Sequence, residues 1–309
     1  MTGRPSMRFV SFLNPLGTVV AGVLPGQGNA VDQVVDLSHP SCKKLMGATL
    51  PSLQLLIEQG LGDWARRMAL ERFDSDALQP LADVQLMAPL PRPGKIVGAA
   101  FNFTDGLAER AMAHPAEPVT FIRSGSTVIG PDAAILIPPD VGNVGYEAEL
   151  AVVIGRRALC VSRDDAMHYV AGYTLHNDIS GSALVKLDGG NFVRGKNLPA
   201  SAPLGPWLVT PDELPDPYAV DLRLEIDGRP LQNGSTATML FNIADLISWV
   251  SHRMPLEPGD VIATGTPAGV AAMHTPPAWL LPGATVTVES SLLGRLVNPI
   301  HAGEPFLER

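Results

Sequence analysis

Two carboxylates set two positions apart open an unbroken apolar run, Glu147-Ala148-Glu149-Leu150-Ala151-Val152-Val153-Ile154-Gly155. A run of this length, rich in Val and Ile and closed by Gly, predicts a strand buried on both faces. Residues i and i+2 of a strand project to one side, so Glu147 and Glu149 aim together at the mouth of a buried element. Two like charges there repel and lose hydration unless a cation or hydrogen-bond donors answer them. A solvated strand edge with two surface glutamates is the competing reading, and the pattern alone does not choose.

The rest of the chain sorts into short strands and a few helices. Runs over 8–12 and 18–24 read as strands divided by turn signals at Asn14-Pro15 and Pro25-Gly26, so residues 1 to about 40 predict a small sheet. Leu53, Leu56, Ile57 and Leu61 keep helical spacing, and a second helix follows through Trp64, Met68 and Leu70. Pro89, Pro91 and Pro93 then deny helix and ladder hydrogen bonds alike. That linker divides a small N-terminal α/β domain, 1–90, from a larger domain, 91–309. A strand over 95–100 runs into Phe101-Asn102-Phe103 and a short helix from about 104 to 113. Ser162 is placed to cap a further helix, and a strand over 169–175 delivers His176-Asn177-Asp178. Residues 222–226 alternate cleanly and meet Asp227-Gly228, a strong hairpin signal. Asn242 caps a helix carrying Ile243, Leu246, Ile247, Val250 and Met254. Short strands with Gly and Pro turns fill 260–300. Strand exceeds helix, and the fold class is α+β, β-rich.

Composition narrows the function. A chain of 309 residues with 46 % hydrophobic and 17 % charged content can bury a sizeable interior. The net charge of -9, with no cluster of Lys and Arg, argues against nucleic acid but leaves room for a small anion in a locally positive pocket. Cys42 and Cys160 cannot build a disulfide framework, which points to a reducing compartment. Arg4 and Arg8 have no apolar signal core behind them, and no stretch approaches the ~20 apolar residues of a membrane span. A cytoplasmic protein with no membrane partner is expected.

Asp178 weighs on the two glutamates. A carboxylate at the end of a second apolar strand is placed to converge on Glu147 and Glu149, although spacing does not prove that it does. Three oxygen donors without Cys or clustered His favour a hard cation, Mg²⁺ first and Mn²⁺ or Ca²⁺ next.

At these residues the sequence resembles the fumarylacetoacetate hydrolase family. The matching text runs from Pro93 to Asn298, about two thirds of the chain. It comprises Tyr146 through Gly155, Asn177-Asp178-Ile179-Ser180, Gly195-Lys196, Pro203-Leu204-Gly205-Pro206-Trp207, Glu257-Pro258-Gly259-Asp260-Val261-Ile262 and Thr264-Gly265-Thr266-Pro267-Ala268-Gly269-Val270. Each string alone is weak; their order together is specific. The resemblance implies a mixed β-roll with flanking helices as the catalytic domain, an accessory N-terminal domain and a homodimer. It also implies a divalent metal on Glu147, Glu149 and Asp178, and substrates that are 2-oxo or 1,3-diketo carboxylic acids. By the same resemblance Lys196 stabilises the substrate's oxyanion, and Asn102, Phe103 and Thr266 meet the substrate. Arg123, where members often have lysine, either grips a distal carboxylate or makes a surface ion pair.

The chain also departs from that pattern. Hydrolytic members carry Asn-Tyr-x-x-His, in which the histidine activates water with help from a glutamate. Here the text is Asn102-Phe103-Thr104-Asp105-Gly106, with the glutamate kept as Glu109. Glycine does no acid–base chemistry, so Glu109 would have to act as the base itself, its carboxyl raised by burial. After Asp178 the arginine and glutamine of many members are Ser182 and Val185, and an aspartate after Lys196 is Pro199. His114, His168 and His176 read as structural or solvated, His176 pointing away from the ligand face. C–C hydrolysis is the family-level expectation. Decarboxylation, tautomerisation or dehydration of a 2-oxo acid is the alternative, and a degenerate metal-binding member is the second.

Overall fold

The Glu149 strand forms where the pattern places it. Ala148–Ile154 is buried at every position, and its side chains divide by parity. Ala148, Leu150, Val152 and Ile154 pack into one core; Ala151 and Val153 pack into another. That alternation, with period two, puts Glu149 on the Ala151 side. The structure is a computed structural model and describes residues 7–25, 32–47 and 50–306. The expected turn at Pro25-Gly26 runs outside those residues, as does Arg4.

A 12-stranded sheet runs through the molecule. At its centre Ala148–Ile154 lies antiparallel between Val170–Asn177 and Val261–Ala263, and Lys95–Ala100 and Val119–Ser124 extend it on the Val261 side. On the other side Val170–Asn177 pairs with Ala202–Val209. That strand pairs with Met7–Leu13, at Arg8↔Val209 and Phe9↔Leu208. The N-terminal strands thus continue the sheet of the larger domain across the proline-rich segment. Helices Leu53–Glu58 and Leu61–Met68 cover this end, their Leu56, Ile57 and Trp64 sharing a core with Ala151 and Val153. A second sheet of five strands closes over the opposite face and supplies Leu222, Leu224, Val286, Val288 and Leu296 to the other core. Strand-rich architecture with flanking helices is the fold class the sequence implies.

Local details follow their causes. Asp227 and Gly228, with φ of 50° and 78°, make the predicted hairpin turn between Asp221–Ile226 and Arg229–Ser235. Asn242 and Asp245 form a reciprocal capping box on Ile243–Ser251. Ser162 differs from expectation. Its Oγ accepts from Asp165 N at 3.2 Å, but it caps a turn, because the chain enters the Val170 strand after one short 3₁₀ turn, Ala166–Tyr169. The helix expected over 104–113 is Thr104–Glu109. Ala111 at φ 50° ends it, with Ala111 N donating to Ala108 O and Met112 N to Leu107 O, a Schellman closure that leaves Arg110 as C-cap. Among the described residues no helix is long and apolar enough to cross a membrane.

Candidate active site

The two glutamates and the aspartate converge. Asp178 follows the strand that pairs Ala148 with Asn177 and Glu149 with His176, and its N–H donates to Glu147 O at 2.9 Å. The Asn177 side chain accepts from Glu147 N at 3.1 Å, which locks the two strand ends together. Glu147, Glu149 and Asp178 each offer an oxygen, all within 4.8 Å of one another. Glu149 and Asp178 are buried, so the surface-edge reading fails for them.

Two cations answer this charge. Lys196 is buried, and its Nζ donates to Glu147 Oε2 at 2.9 Å and Asp178 Oδ2 at 2.6 Å. Burial pushes Lys196 down, but Asp178 and Glu147 outweigh it and hold the ammonium above its usual range. The chain brings Lys196 there at the end of the short helix Phe192–Gly195, where close packing needs glycine. A Cβ on Gly195 would lie 2.4 Å from the Val185 side chain and 2.8 Å from Gly181 O. The second cation is Arg123, wholly buried, contacting Asp178 Oδ1 and donating to Ser201 O and Oγ at 2.5 and 2.7 Å. Asp178 is therefore held down to about 2; burial opposes this, and Lys196 and Arg123 prevail. Among the described residues Glu149 accepts only from Gly265 N, at 3.2 Å, and goes the other way: burial and then Asp178 and Glu147 push its carboxyl well above the ordinary range. Three carboxylates outnumber the two cations, which is why Glu149 tends to keep its proton, and together they offer an all-oxygen donor set. That donor set fits a divalent cation.

The other expected site residues fall in different places. Phe103 and Thr266 line the same cleft as Glu147 and Lys196, with Phe101, Gly106, Leu107, Arg110, Phe121 and Phe192. The Thr266 hydroxyl donates to Ala148 O at 2.8 Å and accepts from Gln232 at 2.9 Å. Asn102 does not reach the cleft with its amide. It bonds Phe241 O, Thr264 O and Phe241 N, and so fastens the chain behind Phe103. Arg123 is neither of the things expected of it, because the 178–201 segment seals its face of the strand and Asp178 takes its guanidinium. Glu109 is exposed and accepts from Gly269 N at 2.9 Å, so the burial that would make it a base is not there. Gln232 is one contributor the sequence reading missed. Its amide ties Ala148 N to Thr266 and Pro267 across the hairpin, and nothing local in the sequence marks it.

His176 does not point away as expected. It is wholly buried, and its Nε2 lies 3.9 Å from Asp178 Oδ1. Nδ1 must carry the proton, since it faces Pro203 O at 2.8 Å and a carbonyl only accepts. Burial, with Arg123 adding, lowers the ring to about 4 against the opposing pull of Asp178. The unfolded chain binds this proton below ~6.5 and the folded chain only near 4, so stability falls as pH drops through that window. The urea midpoint of metal-free wild type relative to that of His176→Gln is expected to decrease from pH 6.5 to 4, a difference that cancels the opposing titration of Glu149. A difference between the two proteins that stays constant over the window would contradict a neutral His176.

Comparison with known proteins agrees with this geometry. The fumarylacetoacetate (FAA) hydrolase C-terminal model matches residues 95–301. Oxaloacetate tautomerase FAHD2A, mitochondrial, of Homo sapiens is 37% identical over 222 residues, 72% of this chain and 71% of that protein. A fumarylacetoacetate hydrolase from psychrophilic Exiguobacterium antarcticum superposes with a TM-score of 0.80 at 32% identity, covering 96% of this chain and 100% of the other. A 2-hydroxyhepta-2,4-diene-1,7-dioate isomerase from Mycobacterium marinum gives 0.74 at 30% identity, over 96% and 99%. These relatives catalyse different reactions on one architecture, and the match extends over the buried carboxylates, Lys196 and the Thr266 loop. The chain is an enzyme of the fumarylacetoacetate hydrolase family.

Proposed function

We propose that this enzyme interconverts the keto and enol forms of a small 2-oxo carboxylic acid, moving a proton at C3 without breaking a carbon–carbon bond. One observation carries the reading. Gly106 lines the cleft, at the place where by the motif resemblance hydrolytic members carry histidine, while the carboxylates and Lys196 are assembled beside it. The tautomerase and isomerase among the relatives support the same side of the family's chemistry.

A divalent cation on the three carboxylates, Mg²⁺ first, would supply Lewis-acid polarisation of the 2-oxo carbonyl. The protein's own residues do the rest. Lys196 keeps its proton and so stabilises negative charge developing on the substrate oxygen, a service worth roughly 3–4 kcal/mol for a well-placed donor. Among the described residues Glu147 is the only carboxylate lining the cleft, and it is engaged by Lys196. The C3 proton would therefore pass to a water at the open side of the cleft, and water would return a proton to the enolate oxygen, so that the interconversion is proton-neutral. Phe101, Phe103, Phe121 and Phe192 give the cleft an apolar wall that suits a compact acid. The reading keeps the homodimer and the cytoplasmic setting expected from the sequence.

Hydrolysis needs a base to make a water nucleophilic, and among the described residues lining the cleft no free carboxylate or histidine is placed to act as one. A Cβ on Gly106 would meet the 266–268 backbone at 3.5–3.6 Å, ordinary contact, so the helix has room for a side chain there. Gly106→His, one turn before Glu109, is expected to add measurable cleavage of an acylpyruvate and to slow tautomerisation. Wild-type protein that already cleaves acylpyruvates would overturn the reading.

A further inference from the structure

The cleft holds two cations in different circumstances. Lys196 is engaged by Glu147 and Asp178, whereas Arg110 meets no carboxylate or carbonyl among the described residues with its guanidinium. Its guanidinium lies near the ring of Phe101, whose centroid is 6.0 Å from Cζ, at the outer limit of a cation–π interaction. Arg110 is half-buried and lies one turn after Gly106, and both residues line the cleft. A half-buried guanidinium in an aromatic-walled cleft has five N–H donors and no acceptor. The planar fork of arginine matches a carboxylate bidentately, which a point charge such as lysine does not.

Two further features aim this group. The Schellman closure at Ala111 and Met112 fixes Arg110 as the helix C-cap. Phe101 holds a φ of 58°, left-handed backbone that a bulky residue adopts only under strain, a feature that clusters at functional sites. Gly106 shares the helix face of Arg110 at i and i+4, so the missing side chain clears the space beside the guanidinium.

Resting on the tautomerase reading, we propose that Arg110 receives the carboxylate of the substrate that lies farthest from its 2-oxo acid end. It makes the site selective for 2-oxo dicarboxylic over 2-oxo monocarboxylic acids.

The test is calorimetric binding at saturating Mg²⁺ of two ligands that cannot turn over. Oxalate mimics the 2-oxo acid end alone; 3,3-difluorooxaloacetate adds the distal carboxylate and cannot enolise. Arg110→Gln is expected to weaken the difluoro dicarboxylate about 10- to 100-fold, as loss of a charge-assisted pair implies, and to leave oxalate within about twofold. Arg110→Lys restores part of the difference and serves if the glutamine variant does not fold. Equal weakening of both ligands, unchanged dicarboxylate binding, or a wild type that binds no dicarboxylate would overturn the proposal. The two readings fail separately. Arg110-dependent binding without turnover of oxaloacetate removes the tautomerase reading alone. Equal tautomerisation of mono- and dicarboxylic acids by wild type and Arg110→Gln removes the role of Arg110 alone.

Discussion

Replacing Glu149 by alanine is expected to abolish metal-dependent turnover and to leave the metal-free protein at least as stable as the wild type. The activity loss follows from the donor set, since two of three carboxylates do not hold a divalent cation in a defined place. Lewis-acid polarisation is worth several kcal/mol, and at about 1.4 kcal/mol per decade its loss slows the reaction roughly a thousandfold or more. The stability effect has the opposite sign to that of most core truncations. Glu149 is buried beside Asp178 and Glu147, and among the described residues it accepts a hydrogen bond only from Gly265 N. Its carboxyl titrates well above the ordinary range, so the folded state binds more protons than the unfolded one between the two pKa values. Stability therefore falls as pH rises through that interval. Removing the group removes that cost, and filling the site with Mg²⁺ does the same, so the melting increment from Mg²⁺ should be larger at pH 8 than at pH 5. Calorimetry for Mg²⁺ and thermal melts with and without it measure both halves. Retained turnover at saturating Mg²⁺ would remove Glu149 from the site.

Lys196→Met is expected to do the reverse to the metal-free protein while also removing activity. Nζ bridges Glu147 and Asp178 with both Lys196 and Asp178 buried, so methionine leaves Glu147 without its cation and Asp178 with Arg123 alone. Breaking a buried pair by deleting one partner is costly, about 3–5 kcal/mol in other proteins, and the metal-free melting temperature should drop. Mg²⁺ affinity should rise, because a competing positive charge has gone. Turnover should fall about 100- to 1000-fold, the loss associated with one oxyanion donor. A variant that keeps wild-type turnover would show that Lys196 only neutralises the carboxylates.

The opposite stability signs of Glu149 and Lys196 express one fact: the pocket is built around charge it does not itself balance. That much was legible in the sequence, because period two along Glu147–Gly155 and an apolar run ending in Asp178 each encode a direction. Turns and caps were legible too, at Asp227-Gly228 and Asn242, where local chemistry determines backbone geometry. What the pattern could not carry were contacts between distant segments. Alternation puts Phe121 and Arg123 on one face of a strand, but only the fold shows that Phe121 walls the cleft while the 178–201 segment seals Arg123 beneath Asp178. Asn102 reads as a substrate ligand from its motif, yet its amide is consumed by Phe241 and Thr264, 139 and 162 residues away. Glu109 reads as a base, but the helix turns it outward. Arg110, its neighbour, sits on the face that matters and was passed over because no motif marks it. Pairing of Met7–Leu13 with Ala202–Val209 likewise has no local signal.

The most direct test of the central claim is an NMR time course of oxaloacetate in D₂O with the wild-type protein, in Mg²⁺ and again after chelation. The account predicts accelerated deuterium exchange at C3 that needs both protein and Mg²⁺, with the carbon skeleton intact. Protein-dependent cleavage of the skeleton, or exchange no faster than with Mg²⁺ alone, would contradict it.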